Sequence, residues 1–167
     1  MARLSLSLLG AFQASLDGKP ITSFGFAKVR ALLAFLAVEI DHPHRRESLA
    51  ALFWPDQSDS AARKSLRNVL SRLRKAIGDR DAATPVLRIT RETVQFDVAG
   101  DCWVDTHAFL DLSGDAGNAQ HLAEAVALYR GEFLEGFSIR GCPDFDDWSI
   151  LTREHLQRRA SSALQQL

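Results

Sequence analysis

Twenty-one residues, SDSAARKSLRNVLSRLRKAIG from 58 to 78, limit what this chain can become more than any other stretch. On a 3.6-residue wheel Leu66, Val69, Leu70, Leu73 and Ile77 form one apolar stripe, which predicts an amphipathic helix laid on a core. Its other side carries Ser60, Lys64, Arg67, Asn68, Ser71 and Lys75, flanked by Arg63, Arg72 and Arg74, and no acidic residue interrupts the run from Ser60 to Gly78. Ser58 suits the N-cap, Asp59 the positive end of the dipole, and Gly78 the C-terminal stop. Arg and Lys of such a face can meet phosphates or guanine edges, and Asn can pair bidentately with adenine. A solvated surface helix has the same polarity, so the choice between these readings rests on the remaining chain.

The net charge of −1 hides a split. Residues 1–100 hold 15 Lys and Arg against 10 Asp and Glu, whereas 101–167 hold 5 against 11. A basic first part joined to an acidic second part points to a polyanion-binding module followed by a module of another kind. At 167 residues the chain can build a core without staples. The start, MARLSLSLLG, is too short and polar for a signal peptide, and no apolar run reaches membrane-spanning length, so a cytoplasmic protein without a membrane partner is expected. Cys102 and Cys142 have no metal spacing and are expected as free thiols.

Alternation in RLSLSLL predicts a strand over 3–9, followed by a second over 12–16. Asp17-Gly18 is a hairpin turn into a short third strand at Pro20-Ile21. FAKVRALLAFLAVEI, 26–40, reads as a central helix with Lys28, Arg30 and Glu39 as its few polar exits. In the loop DHPHRR, His42 and His44 lack a third ligand nearby and read as ordinary loop residues, so no metal is expected. Arg46 to Trp54 predicts a short helix with Leu49, Leu52 and Phe53 inward, stopped by Pro55.

That short helix, a brief turn and the basic helix follow helix-turn-helix grammar. VLRIT and VQFDV then predict a hairpin with Leu87, Ile89, Val94, Phe96 and Val98 inward, Arg88 and Gln95 outward, and Arg91 at the tip. A hairpin in this position is a wing, and arginine at its tip can enter a minor groove.

The order of elements resembles the OmpR-type winged helix. More narrowly, KVRALLAFLAVE, RRESLAALFWPD and ARKSLRNVLSRLRKAIGD resemble the DNA-binding domain of the SARP/AfsR-like transcriptional regulators. CWVDTHAFLDL resembles the opening of the bacterial transcriptional activator domain that follows it in that family. The expected fold is therefore an α+β winged helix-turn-helix over 1–99, with an N-terminal three-stranded antiparallel sheet, three helices and a C-terminal β-hairpin wing. An all-α, tetratricopeptide-like segment is expected over 100–167. Within it, Leu122, Ala125, Val126 and Tyr129 mark one helix, and Phe145, Trp148, Leu151, Leu156 and Leu164 supply the apolar contacts of another. The helical pattern still runs at SALQQL, so a longer regulator is expected.

Enzyme chemistry is not expected. Asp144, Asp146 and Asp147 suit a helix N-terminus, and no phosphate loop, nucleophile elbow or calcium-loop spacing occurs. The alternative to DNA binding is a protein-interaction module docking a partner domain, which would want Leu, Phe or Trp on the outer face of the basic helix. In the DNA reading Lys64, Arg67, Asn68 and Ser71 lie nearest base edges. Arg63, Arg72, Arg74 and Lys75 clamp phosphates, and Arg88 or Arg91 reaches from the wing. The resemblance implies binding to promoter repeats, leaves a homodimer on DNA open, and implies recruitment of RNA polymerase through the loop Trp54, Pro55, Asp56, Gln57, Ser58 and Asp59. It implies no cofactor.

Overall fold

A computed structural model describes residues 3–167; Met1 and Ala2, which begin the stretch weighed above as a leader, lie outside them. The first strands run β1 Leu4–Ser7, β2 Gln13–Leu16 and β3 Lys19–Pro20. The turn between β2 and β3 takes positive φ at both Asp17 (51°) and Gly18 (80°), the backbone that a two-residue hairpin needs. Leu4, Leu6 and Leu8 are fully buried, as the alternation predicts, and helix α1 follows over Ala27–Val38. The polar exits of α1 are all engaged: Lys28 lies 5.1 Å from the Trp54 ring, Arg30 lies 5.6 Å from the Phe137 ring, and Glu39 Oε1 accepts from Trp148 Nε1 at 2.7 Å.

Strand β4 (His44–Arg45) leads directly into α2 (Arg46–Phe53), and α3 follows over Asp59–Ala76. The hairpin is β5 Leu87–Ile89 with β6 Thr93–Phe96. Its register, Leu87↔Phe96, Arg88↔Gln95 and Ile89↔Val94, matches the expected inward set except that Val98 is half exposed beyond the strand. Gln95 also departs from its outward assignment, because its amide donates to the Ile40 carbonyl at 3.0 Å. Strand β4 pairs antiparallel with β6, so the hairpin is one part of a three-stranded sheet. His44 is therefore a core residue, its Nε2 bonded to the Glu39 carbonyl at 2.6 Å.

The second part holds β7 Cys102–Val104, α4 Asp105–Ser113, α5 Ala119–Leu128 and α6 Pro143–Gln166. It is not all-α, and the N-terminal sheet is not three-stranded. β7 lies parallel to β1, giving a mixed sheet in the order β3-β2-β1-β7. Asp105 explains the join: its buried carboxylate accepts from Leu8 N at 2.8 and 2.9 Å and from Leu9 N at 2.9 Å. Burial raises the Asp105 pKa, and those amide bonds oppose the rise. Gly100 is close-packed: a Cβ there would meet the Pro85 carbonyl oxygen at 2.9 Å. Both cysteines are free thiols, and burial, reinforced by Asp97 and Asp101, pushes Cys102 up to about 11.

One hydrophobic core runs through both parts. Phe53 packs 5.4 Å from Phe145, and Cys142 Sγ donates to the Phe53 carbonyl at 3.2 Å. On α6, Phe145 and Leu156 are buried, but Leu151 and Leu164 are 66% and 57% exposed, contrary to their expected core role. The helix instead turns Ser149, Ala160 and Ala163 inward, small residues that allow close approach to its neighbours. No helix among the described residues is long and apolar enough to cross a membrane.

His107 of α4 bonds through Nε2 to the Ala37 carbonyl at the end of α1, and burial lowers its pKa from the ordinary value near 6.5. As pH falls through about 6.5 the unfolded chain takes up this proton first, so stability present above that value is lost toward the lower folded pKa. The melting temperature is expected to drop between pH 7.5 and 5.5, and less so in His107→Gln, which retains a side-chain donor. Equal slopes in both proteins would refute the assignment.

Candidate nucleic-acid interface

α3 is presented as its sequence requires. Leu66, Val69, Leu70, Leu73 and Ile77 are all buried, against α1 and α2. Each buried position on a helix fixes the direction of those half a turn away, so the polar side must face outward. Ser58 Oγ accepts from Ala61 N at 3.3 Å and caps the helix, and Asp59 stands in the first turn. At the other end Gly78 takes the left-handed conformation, φ 64°.

Arg3 and Asp79 complete that end, and neither was a candidate. Arg3 Nη1 donates to the Ile77 and Gly78 carbonyls at 2.8 and 3.3 Å, covering the last acceptors of the helix. Asp79 is buried 3.6 Å from Arg3 Nη2 and accepts from Val86 N and Leu87 N at 2.7 and 3.2 Å. One carboxylate thus ties the base of the hairpin to the end of α3.

Ser60, Arg63, Lys64, Arg67, Asn68, Ser71, Arg72 and Lys75 are all exposed, and Arg74 is half-buried. Among the described residues, none of the six cations of α3 has a carboxylate within 4.0 Å. Three polar side chains of α3 are already engaged in other ways. The Ser71 hydroxyl accepts from Arg80 Nη2 at 2.8 Å. The Arg72 guanidinium lies 5.2 Å from the ring of exposed Phe26, and Ser65 Oγ donates to Gln57 Oε1 at 2.9 Å. A shallow groove of about 770 Å³ runs along this flank, lined by Ser23, Phe26, Asn68, Arg72 and Lys75.

On the hairpin, Arg91 is exposed at the tip, where the Thr90 hydroxyl accepts from Glu92 N and Thr93 N at 3.2 and 2.9 Å. Arg88 differs from it. Its Nε and Nη2 both lie 2.9 Å from Asp97 Oδ2, so it is committed to an ion pair across the sheet face. Arg46 and Arg80 were absent from the candidate set, yet both stand beside α3. Arg46 Nε donates to the Thr90 carbonyl at 3.0 Å, which places it beside the turn end of the hairpin. The only signal for either was its charge.

The loop between α2 and α3 is split in the same way. Pro55, Asp56, Gln57, Ser58 and Asp59 are exposed, but Trp54 is only 7% exposed, with Lys28 over its ring. Trp54 anchors the loop, with only a small part of its ring exposed. Asp144 at the start of α6 shares a depression of about 540 Å³ with this loop.

No family model matches the chain. The transcriptional regulatory protein EmbR of Mycobacterium bovis is 38% identical over 76 residues, and so is EmbR of two Mycobacterium tuberculosis strains. That match covers 46% of this chain and 19% of theirs. The solved structure of Mycobacterium tuberculosis EmbR in complex with a low affinity phosphopeptide superposes with a TM-score of 0.73 at 26% identity, over 95% of this chain and 44% of that one. The chain thus spans less than half the length of the relatives it matches. That sequence match over 76 residues and the shared fold along nearly the whole chain support a SARP-like transcriptional regulator similar to EmbR.

Proposed function

We propose that this chain is a sequence-specific regulator that reads double-stranded promoter DNA, with 1–99 as a winged helix-turn-helix unit and 100–167 as a tetratricopeptide-like segment. α3 enters the major groove and the β5–β6 hairpin lies beside it as the wing, Arg91 leading. Lys64, Arg67 and Asn68 face base edges, while Arg63 and Lys75 hold phosphates. Ser71 supports the face through Arg80, and the exposed loop residues 55–59 are offered to RNA polymerase. A pair of copies on DNA repeats fits this arrangement. We assign no catalytic step or cofactor.

The observation that carries the reading is the set of six α3 cations that have no neutralising carboxylate among the described residues, on the side opposite the buried stripe. A phosphate backbone supplies the missing counter-charge, and binding should weaken with added salt by roughly 0.9 log units per phosphate contact and decade of salt. A protein-docking face would instead present large apolar groups outward, where α3 has Lys, Arg, Asn and Ser.

Two substitutions separate base reading from phosphate holding. Asn68→Ala is expected to leave the melt unchanged and to cost about 1–3 kcal/mol on the preferred site, with relaxed discrimination at one base pair. Lys75→Ala should weaken specific and random duplexes alike and reduce the salt slope by about one unit. Leu70→Ala, as the packing control, should lose about 2–5 kcal/mol of stability. Competition binding with parallel melts decides it. A protein whose duplex binding is weak at low salt and indifferent to added salt would sink the proposal.

A further inference from the structure

Arg46, Arg67, Arg74 and Arg80 line one small depression of about 220 Å³ between α3 and the hairpin. They come from four places in the chain: the first residue of α2, two turns of α3, and the short 3-10 turn Asp79–Asp81. The floor is apolar, formed by Leu70 and Ile89. Arg46 and Arg74 are half-buried, and none of the four has a carboxylate within 4.0 Å among the described residues.

Four guanidinium groups on one apolar floor repel one another, and partial burial removes water that would screen them. An anion with several acceptor oxygens relieves that repulsion, and guanidinium forks match phosphate geometry. Two of the four are also held in place before any ligand arrives. Arg46 Nε donates to the Thr90 carbonyl at 3.0 Å, and Arg80 Nη2 donates to Ser71 Oγ at 2.8 Å. Side chains already ordered lose less entropy on binding, which favours a site over a diffuse cationic patch.

We infer that Arg46, Arg74 and Arg80 hold one backbone phosphate of duplex DNA in this depression, between the recognition helix and the wing, while the exposed Arg67 beside them reaches on to base edges. The inference rests on the DNA reading above and adds two residues to it. Its consequence is positional: a phosphate fixed beside the turn end of the hairpin sets the register in which α3 lies in the groove and in which Arg91 meets the neighbouring groove. Ser71, by orienting Arg80, is a positioning residue.

The test compares the wild-type chain with Arg46→Gln/Arg80→Gln and with the charge-preserving Arg46→Lys/Arg80→Lys, on specific and random duplexes across a salt series. The glutamine pair is expected to lower the salt slope by about one unit on both duplexes, which amounts to roughly tenfold weaker binding at 0.1 M salt. The lysine pair should keep most of the slope. Melts of each protein guard against unfolding through loss of the Arg46–Thr90 bond, and where the glutamine pair melts early, Arg80→Gln alone carries the test. Steep wild-type binding that the glutamine variants leave unchanged overturns this inference while the DNA reading stands. Absence of wild-type duplex binding overturns both. If inorganic phosphate raises the wild-type melt at matched ionic strength, the variants abolish that rise, and duplex binding is unaltered, the site belongs to free phosphate and the inference fails.

Discussion

A chain cut after Ala99 is expected to lose its cooperative thermal transition. A separable unit over 1–99 is what the strands, three helices and hairpin suggest when read along the sequence, but four features beyond residue 99 complete their core. β7 pairs with β1 along Leu4, Ser5 and Leu6. The Asp105 carboxylate satisfies the buried amides of Leu8 and Leu9, and leaving a buried donor unpaired costs about 1–3 kcal/mol. Phe109, Phe133 and Phe145 are almost wholly buried, and removal of such a ring typically costs about 3–5 kcal/mol. The segment around Phe133 also bonds to the end of the first sheet, Gly10 N to Glu132 O and Leu134 N to Leu8 O, both at 2.9 Å. Together these losses are of the same order as the roughly 5–15 kcal/mol by which a domain is usually stable. Circular dichroism melts and urea titrations of the cut chain beside the full one provide the measurement. A sharp transition with undiminished slope in urea would show that 1–99 folds alone.

How far the sequence could be read follows from the range of the interactions involved. The α3 stripe, the Asp17-Gly18 turn and the hairpin register are set by neighbours within a few residues, and periodicity exposes such information directly. β7 was missed because CWV is three residues long and its partner lies nearly a hundred positions earlier, so no local pattern marks it. Leu151 and Leu164 were placed inward because they are apolar, yet small residues occupy the packed face of α6. Trp54 shows the same limit in the loop: the resemblance puts it among the contact residues, and no local pattern shows that Lys28 of α1 lies over its ring. For the candidate interface, the wheel separated exposed from buried residues on α3. It could not tell free cations from engaged ones, because the Asp97 that binds Arg88, the Phe26 beneath Arg72 and the Arg80 that holds Ser71 come from other elements. Arg46 was seen only as the start of a short helix, although the fold brings it beside Arg67 and Arg74.

Asp79→Ala is expected to be among the most damaging single substitutions in the first part of the chain, at about 3–5 kcal/mol, the usual cost of removing one member of a buried ion pair. The side chain is 1% exposed, and its removal would leave Val86 N and Leu87 N without their acceptor. It would also leave Arg3 facing a vacated site, with Nη1 still bonded to the last carbonyls of α3. Asp79→Asn should cost less, since one amide oxygen can still accept a bond, but its NH2 group opposes the neighbouring amide donors and Arg3 loses its counter-charge. The functional consequence separates this residue from an ordinary core position. Asp79 joins the base of the hairpin to the end of α3, so Asp79→Asn should reduce duplex affinity under conditions where the protein remains folded. Leu73→Ala, buried on the same helix but without a bond to the hairpin, should lower the melt by a similar mechanism of lost packing and leave the affinity of the folded fraction unchanged. Melts paired with binding measured well below each transition distinguish the two. Identical folded-state affinities for Asp79→Asn and Leu73→Ala would mean that the carboxylate supports the core and does not set the hairpin against the helix.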